Sequence, residues 1–367
     1  MNILFITNHL NVGGITSYVF TLACGLKKRG HNIYIASSGG ELSSKFKEAG
    51  IISIPVPLKT KKEISPKIIF SLFKLSAIIR EKKIDIIHSH SRTTQVLGCW
   101  LKKFTGVKNI FTCHGFFKRR FLRRIFPCWG DGIIAISQQV KEHLIDDFKL
   151  PAEVIAVVNN GIDIDRFKRV TSKPKAEIKK KFGLNTGAVI SIIARLSDVK
   201  GHKYLIEAMK IVLREYPDSS LLIVGTGKTE KDLSGLTDNL GIKRSVFFVP
   251  EIPDTTDALA VTDIFVMPSL QEGLGLALME AMAAGKAVIG SNVGGIKTLI
   301  QDGRNGLLVE PADSPALAQA ILTLLNDPAK RLELGKEAQD FIQNNFSQEK
   351  MVLETEKEYL NCLSVKD

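Results

Sequence analysis

Glu272 and Glu280 bracket the stretch Gly273-Leu274-Gly275-Leu276-Ala277-Leu278-Met279. A carboxylate accepts paired hydrogen bonds from vicinal hydroxyls, the groups that sugars and riboses offer. Gly273 and Gly275 let the backbone come close to a ligand lying between the two acids. Glu280 falls in the first turns of a helix starting near Gly275, in apolar company where an acid needs a hydrogen-bond partner. A capped helix carrying a stray acid is the plainer alternative. Arg195 follows the apolar Ile192-Ile193-Ala194, which predicts that it is shielded from solvent, and Lys200-Gly201 opens a helix shortly after. Two cations beside the free N–H groups of a helix start make a pocket for a diphosphate. Taken singly, either cation would read as a solvated surface charge.

Other motifs are weaker. Asn8-His9-Leu10-Asn11-Val12-Gly13-Gly14 joins a strand to an apolar-periodic helix. Gly13 and Gly14 let the backbone approach a ligand at that helix start, and they suit a plain tight turn equally. The motif is not GxGxxG, and no acid closes the second strand, which disfavours a nicotinamide cofactor. Gly225-Thr226-Gly227-Lys228-Thr229 looks like part of a phosphate loop, but Leu222 stands where a Walker A motif needs glycine. Gly225 then marks a turn at a sheet's carboxyl edge, where α/β proteins bind ligands. His88-Ser89-His90 can place two imidazoles on one face of a strand. No acid or cysteine lies beside them to complete a metal site, so no metal is expected. His114-Gly115, after the apolar strand NIFTC, suits a polar contact to a neutral ligand.

The elements that must hold these residues are legible from hydropathy. Short β-branched runs at 3–7, 32–37, 51–56, 84–90, 109–115, 132–137 and 154–161 alternate with helical patterns such as 17–28, 66–83 and 138–148. The alternation restarts after a Lys- and Pro-containing stretch, with runs at 188–196, 220–227, 245–251, 263–269, 286–291 and 306–311. Helical patterns at 202–215, 276–284 and 315–325 separate some of these, and 348–363 reads as a last helix. Strands apolar on both faces, each followed by a helix, predict α/β architecture with two doubly wound parallel sheets. The expected division is 1–165, 166–346 and a terminal helix in 347–367.

A chain of 367 residues with 44% hydrophobic and 24% charged residues excludes disorder, collagen and coiled coil. Five cysteines without a CxxC suit a reducing cytoplasm, and no export or membrane-spanning segment is expected. The net charge of +12 is unevenly placed. Residues 1–166 carry 25 Lys and Arg against 12 Asp and Glu, whereas residues 167–367 carry 25 against 26. The first half therefore faces an anionic partner: a membrane, a nucleic acid or an acidic substrate. Its most basic stretch, 116–129, interleaves Arg119, Arg120, Arg123 and Arg124 with Phe117, Phe121, Leu122 and Ile125. That is the composition of an interfacial segment on anionic headgroups, with Lys59, Lys61, Lys62, Lys82 and Lys83 widening the footprint. An ordinary helix with a wet basic face has the same composition.

Taken in order, Gly13-Gly14, His114-Gly115, Asn160-Gly161-Ile162-Asp163, Arg195-x4-Lys200-Gly201 and Glu272-x7-Glu280 resemble the retaining nucleotide-sugar glycosyltransferases of family 4, across nearly the whole chain. The resemblance implies the GT-B fold: two Rossmann-like domains facing across a cleft, the terminal helix returning to the first. By position, Arg195 and Lys200 would hold the donor diphosphate and Glu280 the ribose hydroxyls. Glu272, His114 and the backbone of Gly273–Leu276 would hold the sugar, while Gly13 and Gly14 approach donor and acceptor. Ala194, Leu274 and Pro250 depart from the family pattern, which commonly has Gly, Phe and Gly there, so the donor base stays open.

The resemblance also implies retention of anomeric configuration by front-face attack, with no protein nucleophile. With no DxD in a fitting place, protein cations rather than a metal would stabilise the leaving group, and no cofactor is expected. Donor and acceptor are expected to be a nucleotide sugar (a UDP-sugar before GDP-mannose) and a lipid-linked or other glycan of cell-surface polysaccharide or glycolipid. The expected location is cytoplasmic, peripheral at the inner membrane face. A 2-epimerase of the same fold, a non-catalytic nucleotide-sugar binder and a nucleic-acid binder are the alternatives, with nucleic acid not the expected partner.

Overall fold

The computed structural model describes residues 1–60, 65–117, 127–172 and 174–364. It forms two compact units: Met1–Gly161 with Gln348–Asp367, and Ile162–Ser347.

The first unit holds a seven-stranded sheet, all parallel, in the order β3-β2-β1-β4-β5-β6-β7. The strands are β1 (Asn2–Ile6), β2 (Asn32–Ser37), β3 (Ile52–Pro55), β4 (Ile86–Ser89), β5 (Lys108–Cys113), β6 (Gly132–Ala135) and β7 (Ile155–Val157). Strand β1 shows why the runs are apolar throughout. Ile3 and Phe5 pack on one face with Tyr18, Val19 and Leu22 of helix Gly14–Lys28. Leu4 and Ile6 pack on the other with Ile68, Leu72 and Leu75 of helix Pro66–Glu81 and Leu97 of helix Arg92–Thr105. Both faces are covered, so period-two alternation disappears.

Side chains start these helices where the sequence offers them. Ser65 accepts from the Ile68 N–H, and Ser91 forms a capping box with Thr94. Helix Gln348–Ser364 completes this unit. Val352 fills the space a Cβ on Gly25 would take, Gln348 Nε2 donates to the Thr21 carbonyl at 2.6 Å, and Glu356 pairs with Arg29 and His31, each at 2.6 Å.

The second unit carries six parallel strands in the order β10-β9-β8-β11-β12-β13. They are β8 (Val189–Ile193), β9 (Ser220–Val224), β10 (Val246–Val249), β11 (Ile264–Met267), β12 (Ala287–Ser291) and β13 (Leu307–Val309). One continuous core joins β8, β9, β11 and β12 to helices His202–Glu215 and Ser314–Asn326. The Lys- and Pro-containing stretch between the two sets of strands is partly helical: Lys175–Phe182 forms a helix ended by Gly183 in the left-handed conformation. In both units the sheet order reverses direction at the first strand, β1 or β8. This topological switch opens a crevice at the carboxyl ends of the strands.

Candidate active site

In the second unit the loops after β8, β9 and β11 are pressed together. The Ala194 N–H donates to the Val224 carbonyl and the Leu196 N–H to the Thr226 carbonyl, both at 3.0 Å, extending the sheet beyond its strands. Glycines make this possible. A Cβ on Gly225 would lie 2.1 Å from the Ala194 carbonyl oxygen, and one on Gly227 would lie 2.0 Å from that of Leu196. A Cβ on Gly201 would lie 1.9 Å from the Pro268 oxygen. The loops bearing Arg195, Lys200 and Glu272 therefore rest on backbone contacts that no larger residue permits.

Lys200 ends a short 3₁₀ turn, Asp198–Lys200, directly before helix His202–Glu215. Its ammonium lies 2.5 Å from Glu272 Oε2. Ser269 Oγ also donates to that oxygen at 3.5 Å, and the Gly273 N–H donates to Oε1 at 3.2 Å. Gly294 and Gly295 brace the loop from behind: the Gly295 N–H donates to the Glu272 carbonyl at 3.0 Å, and a Cβ on either glycine would strike the Glu272 or Gly273 oxygen. Sequence reasoning did not find this pair of glycines. The ion pair is largely buried, so its charges attract strongly and leave a fixed, hydrogen-bonding polar surface.

Arg195 is exposed, contrary to the expectation of shielding. The alternation continues past the strand, so Leu196 takes the fully buried position and Arg195 points outward. Among the described residues no carboxylate pairs with its guanidinium. His202, also missed, is buried at the start of its helix. Burial and then the Lys200 charge push it down to about 4, so it is neutral.

Gly275, in the left-handed region, turns the chain into helix Leu276–Ala283, whose first N–H groups have no side-chain cap. Leu274 is buried, whereas Leu276 is half-buried. Glu280 Oε2 accepts from Thr255 Oγ1 at 2.8 Å. Thr255 is a fourth residue that sequence reasoning missed; only the run Asp254-Thr255-Thr256 at a helix start marked it. Asp254 holds this corner. Burial works to raise its carboxyl, but Arg166 at 2.8 Å and Thr256 outweigh it and bring it to about 2.

In the first unit, Gly13 and Gly14 begin helix Gly14–Lys28 with no side-chain cap, and a Cβ on either would meet nothing within 4 Å. His114 is tied to the same helix through the edge of the Tyr18 ring, at 4.7 Å between centroids. Its Nε2 lies 3.2 Å from His90 Nδ1, and burial pushes its pKa down to about 3. His88 and His90 share a face as the alternation predicts, with ring centroids 4.2 Å apart. His88 is held by Tyr359 Oη and Thr112 Oγ1, each at 2.6 Å, and burial keeps both rings well below the usual imidazole range. Among the described residues, no three His, Cys, Asp or Glu side chains form a group that could hold a metal ion.

Phe117 is half-buried, its N–H donating to His143 Nε2 at 2.8 Å and its ring 6.2 Å from that of Phe111. Arg119, Arg120, Arg123, Arg124, Phe121, Leu122 and Ile125 lie outside the described residues, as do Lys61 and Lys62. No helix among the described residues is long and apolar enough to cross a membrane.

Against known proteins, residues 12–166 match Glycosyltransferase Family 4 and residues 174–341 match Glycosyl transferases group 1. The chain is 28% identical over 311 residues to the UDP-Gal:alpha-D-GlcNAc-diphosphoundecaprenol alpha-1,3-galactosyltransferase of Escherichia coli, spanning 80% of this chain and 79% of that protein. It is also 28% identical over 373 residues to the N-acetyl-alpha-D-glucosaminyl L-malate synthase of Bacillus anthracis, spanning 98% and 96%. Among solved structures, Anabaena HepE in complex with UDP-glucose is similar at a TM-score of 0.87 and 22% identity, over 98% of this chain and 100% of that one. That last likeness is one of fold.

Proposed function

The chain belongs to the family 4 glycosyltransferases of GT-B fold, and from that premise we propose that it moves a hexose or N-acetylhexosamine from a nucleoside diphosphate sugar to an acceptor hydroxyl with retention of configuration. UDP is the favoured nucleotide and GDP the next. The acceptor is a lipid-linked or other glycan of cell-surface polysaccharide or glycolipid, met at the inner face of the cytoplasmic membrane. The observation that carries the reading is the Lys200–Glu272 pair, braced by glycines, with Arg195, which no carboxylate of the described residues pairs, on the loop of Lys200.

In this reading Arg195 and Lys200 meet the diphosphate, together with the uncapped N–H groups at Leu276. Glu280, positioned by Thr255, accepts from the ribose hydroxyls. Glu272 turns its remaining acceptor capacity to the sugar, beside the backbone of Gly273 and Gly275. The bond from the anomeric carbon to the diphosphate oxygen breaks as the bond to the acceptor oxygen forms. The departing phosphate oxygen takes the acceptor's proton, and the two cations stabilise its growing charge. No metal or cofactor has a part in this scheme. Gly13, Gly14 and neutral His114 serve as close-approach and polar contacts of the first unit.

The E. coli relative is named for UDP-galactose and a diphosphoundecaprenol acceptor, which supports both the donor and the lipid-linked acceptor. The B. anthracis relative is named for malate, so acceptor identity does not transfer at this similarity. Incubation with UDP-, GDP- and ADP-sugars in the presence of a chelator tests the proposal. Nucleotide release with a UDP-sugar, and an axial or equatorial product matching the donor anomer by NMR, is the expected result. Absence of turnover and of affinity across the panel would overturn it.

A further inference from the structure

Helices Pro66–Glu81 and Arg92–Thr105 of the first unit turn large apolar side chains outward on the side away from the sheet. Phe73 is 63% exposed, Phe70 58%, Phe104 52% and Ile69 43%. These belong to one patch: the Phe73 and Phe104 rings meet edge to face at 6.5 Å, and Arg80 donates from Nη2 to the Phe104 carbonyl at 3.2 Å. The opposite face of helix Pro66–Glu81 already buries Ile68, Leu72, Leu75 and Ile79, so packing against the sheet leaves these aromatics unexplained. Single exposed apolar residues are ordinary, but a contiguous aromatic group on neighbouring helices marks an interaction surface.

The charge around the patch decides the partner. The two helices carry Lys67, Lys74, Arg80, Arg92, Lys102 and Lys103 against one acid, Glu81, which pairs with Lys82 at 2.8 Å. Lys67, Arg80 and Lys103 are exposed, and Lys74 Nζ donates to the Pro55 carbonyl at 2.8 Å. A second copy docked through this face would bring like charges together. An anionic bilayer instead offers apolar depth to the rings and phosphate to the rim.

We propose that the patch of Ile69, Phe70, Phe73 and Phe104 is the surface on which this protein sits on anionic lipid, the rings entering the headgroup boundary and Lys67, Arg80 and Lys103 contacting phosphates. This rests on the membrane reading above and moves its apolar anchor from the segment 116–129 to these two helices. Sedimentation with vesicles of phosphatidylglycerol and phosphatidylcholine tests it, using wild type, a Phe70→Ser/Phe73→Ser/Phe104→Ser variant and an Arg119→Ser/Arg120→Ser/Arg123→Ser/Arg124→Ser variant. All three substituted aromatics are mostly exposed, so the first variant should keep its thermal transition and nucleotide affinity while losing vesicle affinity by about tenfold or more. Pelleting of that variant equal to wild type would overturn the patch, and loss confined to the arginine variant would do so while leaving the membrane reading intact. Failure of wild type to pellet at all would overturn both. A wild-type dimer that the triple-serine variant dissolves, without lipid binding, would assign the patch to self-association instead.

Discussion

The glycines at the two candidate sites serve opposite ends. In the second unit, Cβ atoms on Gly201, Gly225, Gly227, Gly294 and Gly295 would lie 1.9 to 2.2 Å from carbonyl oxygens of neighbouring loops. In the first, Gly13, Gly14 and Gly115 face open space, with nothing within 4 Å. The former are required by the protein's own backbone, which they draw tight behind Lys200 and Glu272. The latter meet no packing atom among the described residues, as the close-approach role proposed for Gly13 and Gly14 needs. The histidines divide as unequally. Three neutral rings, His88, His90 and His114, lie side by side and tilted in the first unit, while the second contains only His202.

That second contrast carries the largest expected effect. Burial lowers the folded-state pKa of His88, His90 and His114, so the unfolded chain binds protons first as pH falls below about 6.5. Their contribution is complete above that pH and is lost on descending toward the folded pKa values. Between pH 7.5 and 5.5 the first unit should lose stability, on the order of a few kcal/mol over the three rings together. Trp100 and Trp129, the two tryptophans, both lie in this unit, so urea titrations followed by tryptophan fluorescence report it selectively. Equal stability at the two pH values would dissolve the contrast.

Next come the cations of the second unit. Arg195→Ala or Lys200→Ala should reduce turnover roughly a hundredfold or more, about 3 kcal/mol, with the tryptophan-detected transition unmoved. Near-native activity in both would remove them from the donor site. The glycines can be set against each other directly. Gly201→Ala should cost about 2 kcal/mol or more in far-UV-detected stability, because its Cβ meets a carbonyl. Gly14→Ala should cost under about 0.5 kcal/mol and yet lower activity. A costly Gly14→Ala would mean that both glycine sets serve packing. The smallest effect separates the two carboxylates: Glu280→Gln should weaken binding of free nucleoside diphosphate about tenfold, whereas Glu272→Gln should spare it and impair transfer. Equal nucleotide affinity in both variants, measured calorimetrically, would erase that division.

The thirteen strands could be read from the chain because parallel strands covered on both faces leave runs such as ILFI and SLLIV unbroken by polar residues. Lys200 and Glu272 were each legible from their local context, as residues beside glycines at strand ends. Their pairing was not, since nothing in spacing specifies a contact across 72 positions. The brace from Gly294 and Gly295 was invisible for the same reason. Arg195 was misjudged because apolar neighbours announce a buried strand without saying which side its next residue faces. The periodicity of 66–83 revealed a helix, but could not show that Phe70 and Phe73 on its second apolar edge stay mostly exposed.

Helix Gln348–Ser364 gives the first unit what its own first 161 residues lack: a partner for the bare side of Gly25, the carboxylate between Arg29 and His31, and the hydroxyl on His88. On the ribosome, Ile162–Ser347 emerges as one uninterrupted stretch and has every strand of its sheet before that helix is made. The segment translated first is thus the one completed last. All seven strands of the first sheet lie before residue 158, but the packing around Gly25, Arg29, His31 and His88 is complete only once 348–364 has been made.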